Sequence, residues 1–141
     1  MSAFSIPDDL EADLALDGVL HRLLVGPATF LPNRPAIADG GMQVPPYTAS
    51  IEAAARLFDA RMSPAEWFLH RAWDRDSVCV SGDNGLDIGA TGARGQGALA
   101  LSLLTLAAVR ELRAGEEWDA MIVELRELAA DTEARRTVAR I

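Results

Sequence analysis

The chain has no lysine: all 13 of its basic residues are arginine. Together with the abundant alanine, this reads as the codon bias of a GC-rich genome rather than as mechanism. A phosphate-binding Walker loop is excluded, because it ends in Lys-Ser/Thr. Cysteine is represented by Cys79 alone, which rules out an internal disulfide and a cysteine-based zinc site. The two histidines, His21 and His70, lack the HxxxH or HxxE spacing of a metal motif. Positive charge is scarce, with 13 basic against 21 acidic residues and a net charge of −8. Such a chain is poorly suited to gripping nucleic acid or an anionic membrane directly, and suits a basic surface instead. No apolar run reaches the roughly 20 residues that cross a bilayer. The opening MSAFSIPDDLEADL has neither the basic start nor the apolar core of a signal peptide, so a cytoplasmic location is expected.

What the chain has is ordinary globular composition, with 141 residues, 50% hydrophobic and 24% charged. One domain over 1–141 is expected, long enough to bury a core without metals or disulfides. Its centre is the stretch 95–113, GQGALALSLLTLAAVRELR. Between Ala98 and Val109 only Ser102 and Thr105 are polar, so this is a helix apolar on nearly every side. A core helix covered by a sheet and by a neighbouring helix, 116–130, is expected. Gly115 is read as its stop.

In chain order, a short tail ends at Pro7 and a helix is predicted from there to Val25. Pro7 suits its first turn, and Asp8, Asp9 and Glu11 suit the positive end of its dipole. Gly18 is a place where this helix can divide. Residues 26–46 hold five of the seven prolines and read as a long connection that packs across the core. A second helix, capped by Thr48 or Ser50, runs to about Arg61. Three extended runs follow, at 66–73, 76–81 and 85–90, with hairpin chemistry in the Gly-Asp-Asn-Gly turn. These predict a three-stranded antiparallel meander. The last stretch, 116–141, is an amphipathic helix, with a kink allowed near Asp131, that presents Trp118, Met121, Ile122, Leu125, Leu128 and Ala129 on one face. It either packs on the body or forms a homodimer interface.

The stretch PPYTASIEAAARL at 45–57, the Trp67-Phe68-Leu69-His70 strand and the ALALSLLTLA helix at 98–107 follow one another in a distinctive order. This order resembles the phage ABA sandwich domain proteins, small phage and prophage proteins without an assigned activity. LALDGVLHRLLVG at 14–26 is similar to their N-terminal helix. The resemblance covers about 14–113 and implies an α+β domain built as an α-β-α layered sandwich, with helices on both faces of a small antiparallel sheet. It carries over no catalytic residue. The C-terminal helical extension at 116–141 and the glycine-rich loop 82–97 depart from the pattern.

Loop 82–97 holds six of the 11 glycines and leads into a helix N-terminus, where backbone N–H groups can bind phosphate. Gly92, Gly95 and Gly97 are the weak phosphate-loop candidates. Gly95–Ala100 fits G-x-G-x-x-A, but the βαβ unit that gives this motif meaning is lacking. His21 reads as a structural residue beside an apolar stripe, and His70 as a strand residue between two tryptophans. Arg135, Arg136 and Arg140 read as cations at a helix C-terminus. The candidates for partner contact are the acidic Asp8, Asp9, Glu11 and Asp13, together with Trp73 and Trp118.

Function is therefore expected to be non-enzymatic and cofactor-free. The leading expectation is a phage-encoded acidic accessory protein that binds a host protein, with no direct nucleic-acid or membrane contact. Its charge suits a basic nucleic-acid-binding target, as in an inhibitor of CRISPR-type defence. The alternatives are a small-ligand or nucleotide-phosphate-binding domain using loop 82–97, and a structural accessory protein that oligomerises through its C-terminal helix.

Overall fold

The computed structural model describes residues 2–83 and 85–139, with side chains in the last helix described as far as Thr132. Along the chain come β1 (Ser2–Ser5), α1 (Leu14–Leu24), β2 (Ala28–Leu31), β3 (Arg34–Ala38) and α2 (Ile51–Met62). They are followed by β4 (Glu66–Arg71), β5 (Arg75–Ser81), β6 (Asp87–Ala93), α3 (Gly97–Val109) and α4 (Gly115–Ala139). The class is α+β.

Helix α3 is the core, buried from Gly97 through Ala108. Full burial is tolerated because its two hydroxyls are satisfied locally. Ser102 Oγ donates to the Tyr47 carbonyl at 2.7 Å, and Thr105 Oγ1 to the Leu101 carbonyl at 2.8 Å. Strands β5 and β6 cover one side and α2 another, with α1 touching a third. The expected neighbour, 116–130, lies instead on α1 and β1. The stop of α3 also differs from expectation. Leu112 and Glu111 donate their N–H groups back to the carbonyls of Ala107 and Ala108, with Glu111 at φ 58°. This is a Schellman end made without glycine. Gly115 is the first residue of α4.

The main sheet has four strands in the order β1-β6-β5-β4, one more than expected. The meander β4-β5-β6 is antiparallel, and β1 adds parallel to β6 with Phe4 beside Ala90. A four-residue strand with a single large apolar side chain carries too little alternation to be read from sequence. Alternation elsewhere is clean: Trp67 and Leu69 of β4 share a face with Val78 and Val80 of β5 and Ile88 and Ala90 of β6. Among the described residues all four helices gather on that face, not on both faces as the resemblance implies. The opposite face presents Glu66, Phe68 and His70 to solvent.

Helix α1 begins at Leu14 rather than at Pro7. Tertiary bonds hold residues 8–13 as a non-helical strap: Gln96 Nε2 donates to the Leu10 carbonyl at 2.8 Å, and Asp13 N–H to Thr48 Oγ1 at 3.0 Å. Asp13 then caps α1, accepting from Ala15 N–H at 3.2 Å. Gly18 does not divide the helix. A Cβ there would run into the Phe30 ring, so the glycine lets β2 lie close on α1.

The long connection 26–46 is ordered as the β2–β3 hairpin, turned at Asn33 with φ 53°. Ala28 and Ala36 are buried, and both strands lie against α1. Ser50, not Thr48, caps α2, accepting from Ala53 N–H at 3.2 Å. Strand β4 ends at Arg71, leaving Trp73 in the turn, and β6 runs on to Ala93. Helix α4 buries Trp118, Met121, Ile122 and Leu125 in the body, while Leu128 is exposed. Arg135, Arg136 and Arg140 lie outside the described side chains. Among the described residues no helix is long and apolar enough to cross a membrane.

Candidate functional site

The strap 9–13 and helix α4 are the two walls of a groove of about 540 Å³. Leu10, Leu16, Leu125 and Ala129 give it apolar surface, and Asp9, Glu11, Asp13 and Arg126 give it charge. Pro7 and the capping Asp13 end the strap, and the helical spacing of Leu125 and Ala129 turns one side of α4 inward.

The single cation of this lining is already paired. Arg126 Nη1 and Nη2 donate to the two oxygens of Asp9, each at 2.8 Å. Such a fork-to-fork pair is both directional and charge-assisted. The guanidinium's hydrogen bonds pull the Asp9 carboxyl down to about 2, and Asp9 in turn raises Arg126. With Asp9 and Arg126 cancelling, Glu11 and Asp13 leave the groove negative. Asp13 uses one oxygen as the α1 cap. Its charged side chains are the carboxylates of Asp9, Glu11 and Asp13 and the Arg126 guanidinium. What it can do is hold a cation, with an aliphatic stem on the leucines and a charged head on the carboxylates.

Asp8 points elsewhere. It shares a polar depression of about 420 Å³ with Asp74 and Arg75, next to the β4–β5 turn. Trp73 stands on that turn, 85% exposed, with its carbonyl accepting from Arg94 Nη1 at 3.3 Å. The acidic strap thus runs from the Trp73 turn to the α4 groove.

Trp118 is not an exposed contact residue. It is 1% exposed, stacks on Phe4 with ring centroids 4.6 Å apart, and donates its indole N–H to the Ser5 carbonyl at 3.0 Å. The amphipathic stripe that suggested a surface for a partner packs on the chain's own α1 and β1.

The glycine corner before α3 is occupied from within. Gly95, at φ 92°, donates its N–H to Asp76 Oδ2 at 3.0 Å. Asp76 is buried, with Arg71 Nε 3.9 Å away, and its other oxygen has no hydrogen-bond partner among the described residues. Its carboxylate stands at the helix start, where the dipole favours negative charge and a phosphate would compete. Gly97 has its own reason: a Cβ there would press on Leu69 at 3.2 Å, so the glycine lets α3 sit close on the sheet. At Gly92 a Cβ would meet Gln96 Oε1 at 2.6 Å, the oxygen that accepts from Ala93 N–H.

A buried polar cluster escaped the sequence reading. Asp17 Oδ1 accepts from Thr48 N–H at 2.8 Å and from Thr48 Oγ1 at 2.7 Å. One helical turn on, His21 Nδ1 lies 2.8 Å from the Tyr47 hydroxyl. Burial pushes Asp17 and Tyr47 up and His21 down, each toward its uncharged form. The cluster ties α1 to the segment entering α2. The signal for it was the i, i+4 spacing of Asp17 and His21 on an otherwise apolar face. Among the described residues no group of three His, Cys, Asp or Glu side chains is placed to hold a metal ion.

No family model matches the chain, and neither a curated protein nor a solved structure matches it.

Proposed function

We propose that this chain is a non-enzymatic binding protein that takes a cationic segment of a partner protein in the groove between residues 9–13 and α4. The observation that carries this reading is the groove's lining: apolar surface beside Glu11 and Asp13, with its one arginine already neutralised by Asp9. The net charge of −8 supports the same sense of complementarity by drawing basic partners to the surface. The wider reading is a phage-encoded protein in the host cytoplasm that covers the basic nucleic-acid-binding surface of a host defence protein. It rests on size, charge and the family resemblance. Trp73 and Asp8 extend the contact surface around the strap.

Titration calorimetry with an oligo-arginine peptide tests the groove. Binding is expected at low salt and is expected to weaken about tenfold in Glu11→Lys. Equal affinity of wild type and Glu11→Lys would overturn the reading. The two alternatives have observations against them. Asp76 fills the phosphate position of the glycine corner, and Trp118, Met121, Ile122 and Leu125 of the α4 stripe are buried in the chain's own core.

A further inference from the structure

Strand β4 is the last strand of the main sheet, and among the described residues it pairs only with β5. Its other edge is a row of backbone N–H and C=O groups able to template another strand. Phe68, in the middle of this six-residue strand, is 57% exposed on the sheet face that bears no helix. Glu66 and His70 flank it on the same face, two residues to either side.

We propose that a second copy of this chain joins the sheet at β4, antiparallel, about a twofold axis that passes midway between Phe68 and Phe68 of the partner subunit. A twofold axis perpendicular to a sheet keeps each face on its own side, so outward residues must pair with outward residues. The register centred on Phe68 satisfies this rule. It sets Phe68 against Phe68 of the partner subunit and Glu66 against His70 of the partner subunit. On the buried face it sets Trp67 against Leu69 of the partner subunit. Each Glu66–His70 pair joins a carboxylate to a ring that can donate an N–H, and symmetry makes the pair twice. The register centred on Leu69 also keeps faces but sets Phe68 against a histidine and Glu66 against Ala72, losing both matches. Self-repulsion does not oppose the contact at this edge. Residues 66–75 carry two acids, Glu66 and Asp74, and two arginines, Arg71 and Arg75, in an otherwise acidic chain.

Sedimentation equilibrium of the full chain over a rising concentration series tests the proposal. The wild type is expected to pass from monomer to dimer, and Phe68→Glu to stay monomeric with an unchanged circular-dichroism spectrum. His70→Glu sets two carboxylates opposite each other, twice, and is expected to weaken the dimer roughly tenfold. Glu66→Arg combined with His70→Glu is expected to restore it. Glu66 and His70 are both exposed, so the pair remains informative if the Phe68 variant misfolds. A wild type that is monomeric throughout would overturn the proposal. So would a dimer indifferent to Phe68→Glu, or a double variant as weak as His70→Glu alone.

Discussion

Arg126 of α4 grips Asp9 of the N-terminal strap with two hydrogen bonds of 2.8 Å, across 117 residues of sequence. The pair lines the acidic groove and holds the strap to the helix. Because the guanidinium lowers the Asp9 carboxyl from 3.8 to about 2, the pair's contribution is complete above pH 3.8 and is lost as pH falls through about 2. NMR titration of the Asp9 carboxyl carbon should give a midpoint of about 2, returning toward 3.8 in Arg126→Ala. The same variant frees a carboxylate in the groove and should tighten oligo-arginine binding. A wild-type midpoint near 3.8 would contradict the pairing.

Asp17 behaves in the opposite sense. Burial raises its carboxyl despite the bonds from Thr48, so the folded state holds the proton more tightly than the unfolded chain. Stability therefore falls as pH rises from the unfolded carboxylate value through the raised folded one. Asp17→Asn keeps the acceptor oxygen and removes the charge, and should flatten this fall in urea unfolding measured from pH 4 to 7. Asp17→Ala leaves the buried Thr48 N–H without a partner and should cost about 1–3 kcal/mol.

The two tryptophans of the candidate surface should separate cleanly. Trp118→Ala opens a cavity against Phe4 and strands the Ser5 carbonyl, and should cost about 3–5 kcal/mol in urea unfolding. Trp73→Ala, on an exposed turn, should stay within about 0.5 kcal/mol of wild type. Comparable losses for both would contradict the burial assigned to Trp118.

The core was legible where periodicity was strong. The apolar run 98–108, the caps of α2 and the alternation of Val78, Val80 and Ile88 each led to the observed element. What was hidden depended on contacts between distant residues. The strap 8–13 has good helix-starting chemistry, yet Gln96 and Thr48 draw its backbone out of the helix. Strand β1 exists because β6 offers it an edge, and Phe4 is its only deeply buried side chain. Trp118 looks the same in sequence whether its apolar stripe meets a partner or its own sheet. Of the site, the acidic residues were legible as a cluster, but the groove was not, since α4 forms its other wall from more than a hundred residues away.

The glycine corner gives a further expectation. With Asp76 already bonded to Gly95 at the start of α3, inorganic phosphate and nucleotides should leave the melting temperature unchanged. A rise of several degrees with any of them would revive the phosphate-loop alternative.

The groove as a cation-binding surface is tested most directly by the salt dependence of oligo-arginine binding, measured by calorimetry on the wild type and on Glu11→Lys. The wild type should lose affinity steeply between about 0.05 and 0.5 M salt, as the Debye length contracts, and the variant should bind weakly throughout. Affinity that ignores both salt and the Glu11 substitution would contradict the assignment of this groove.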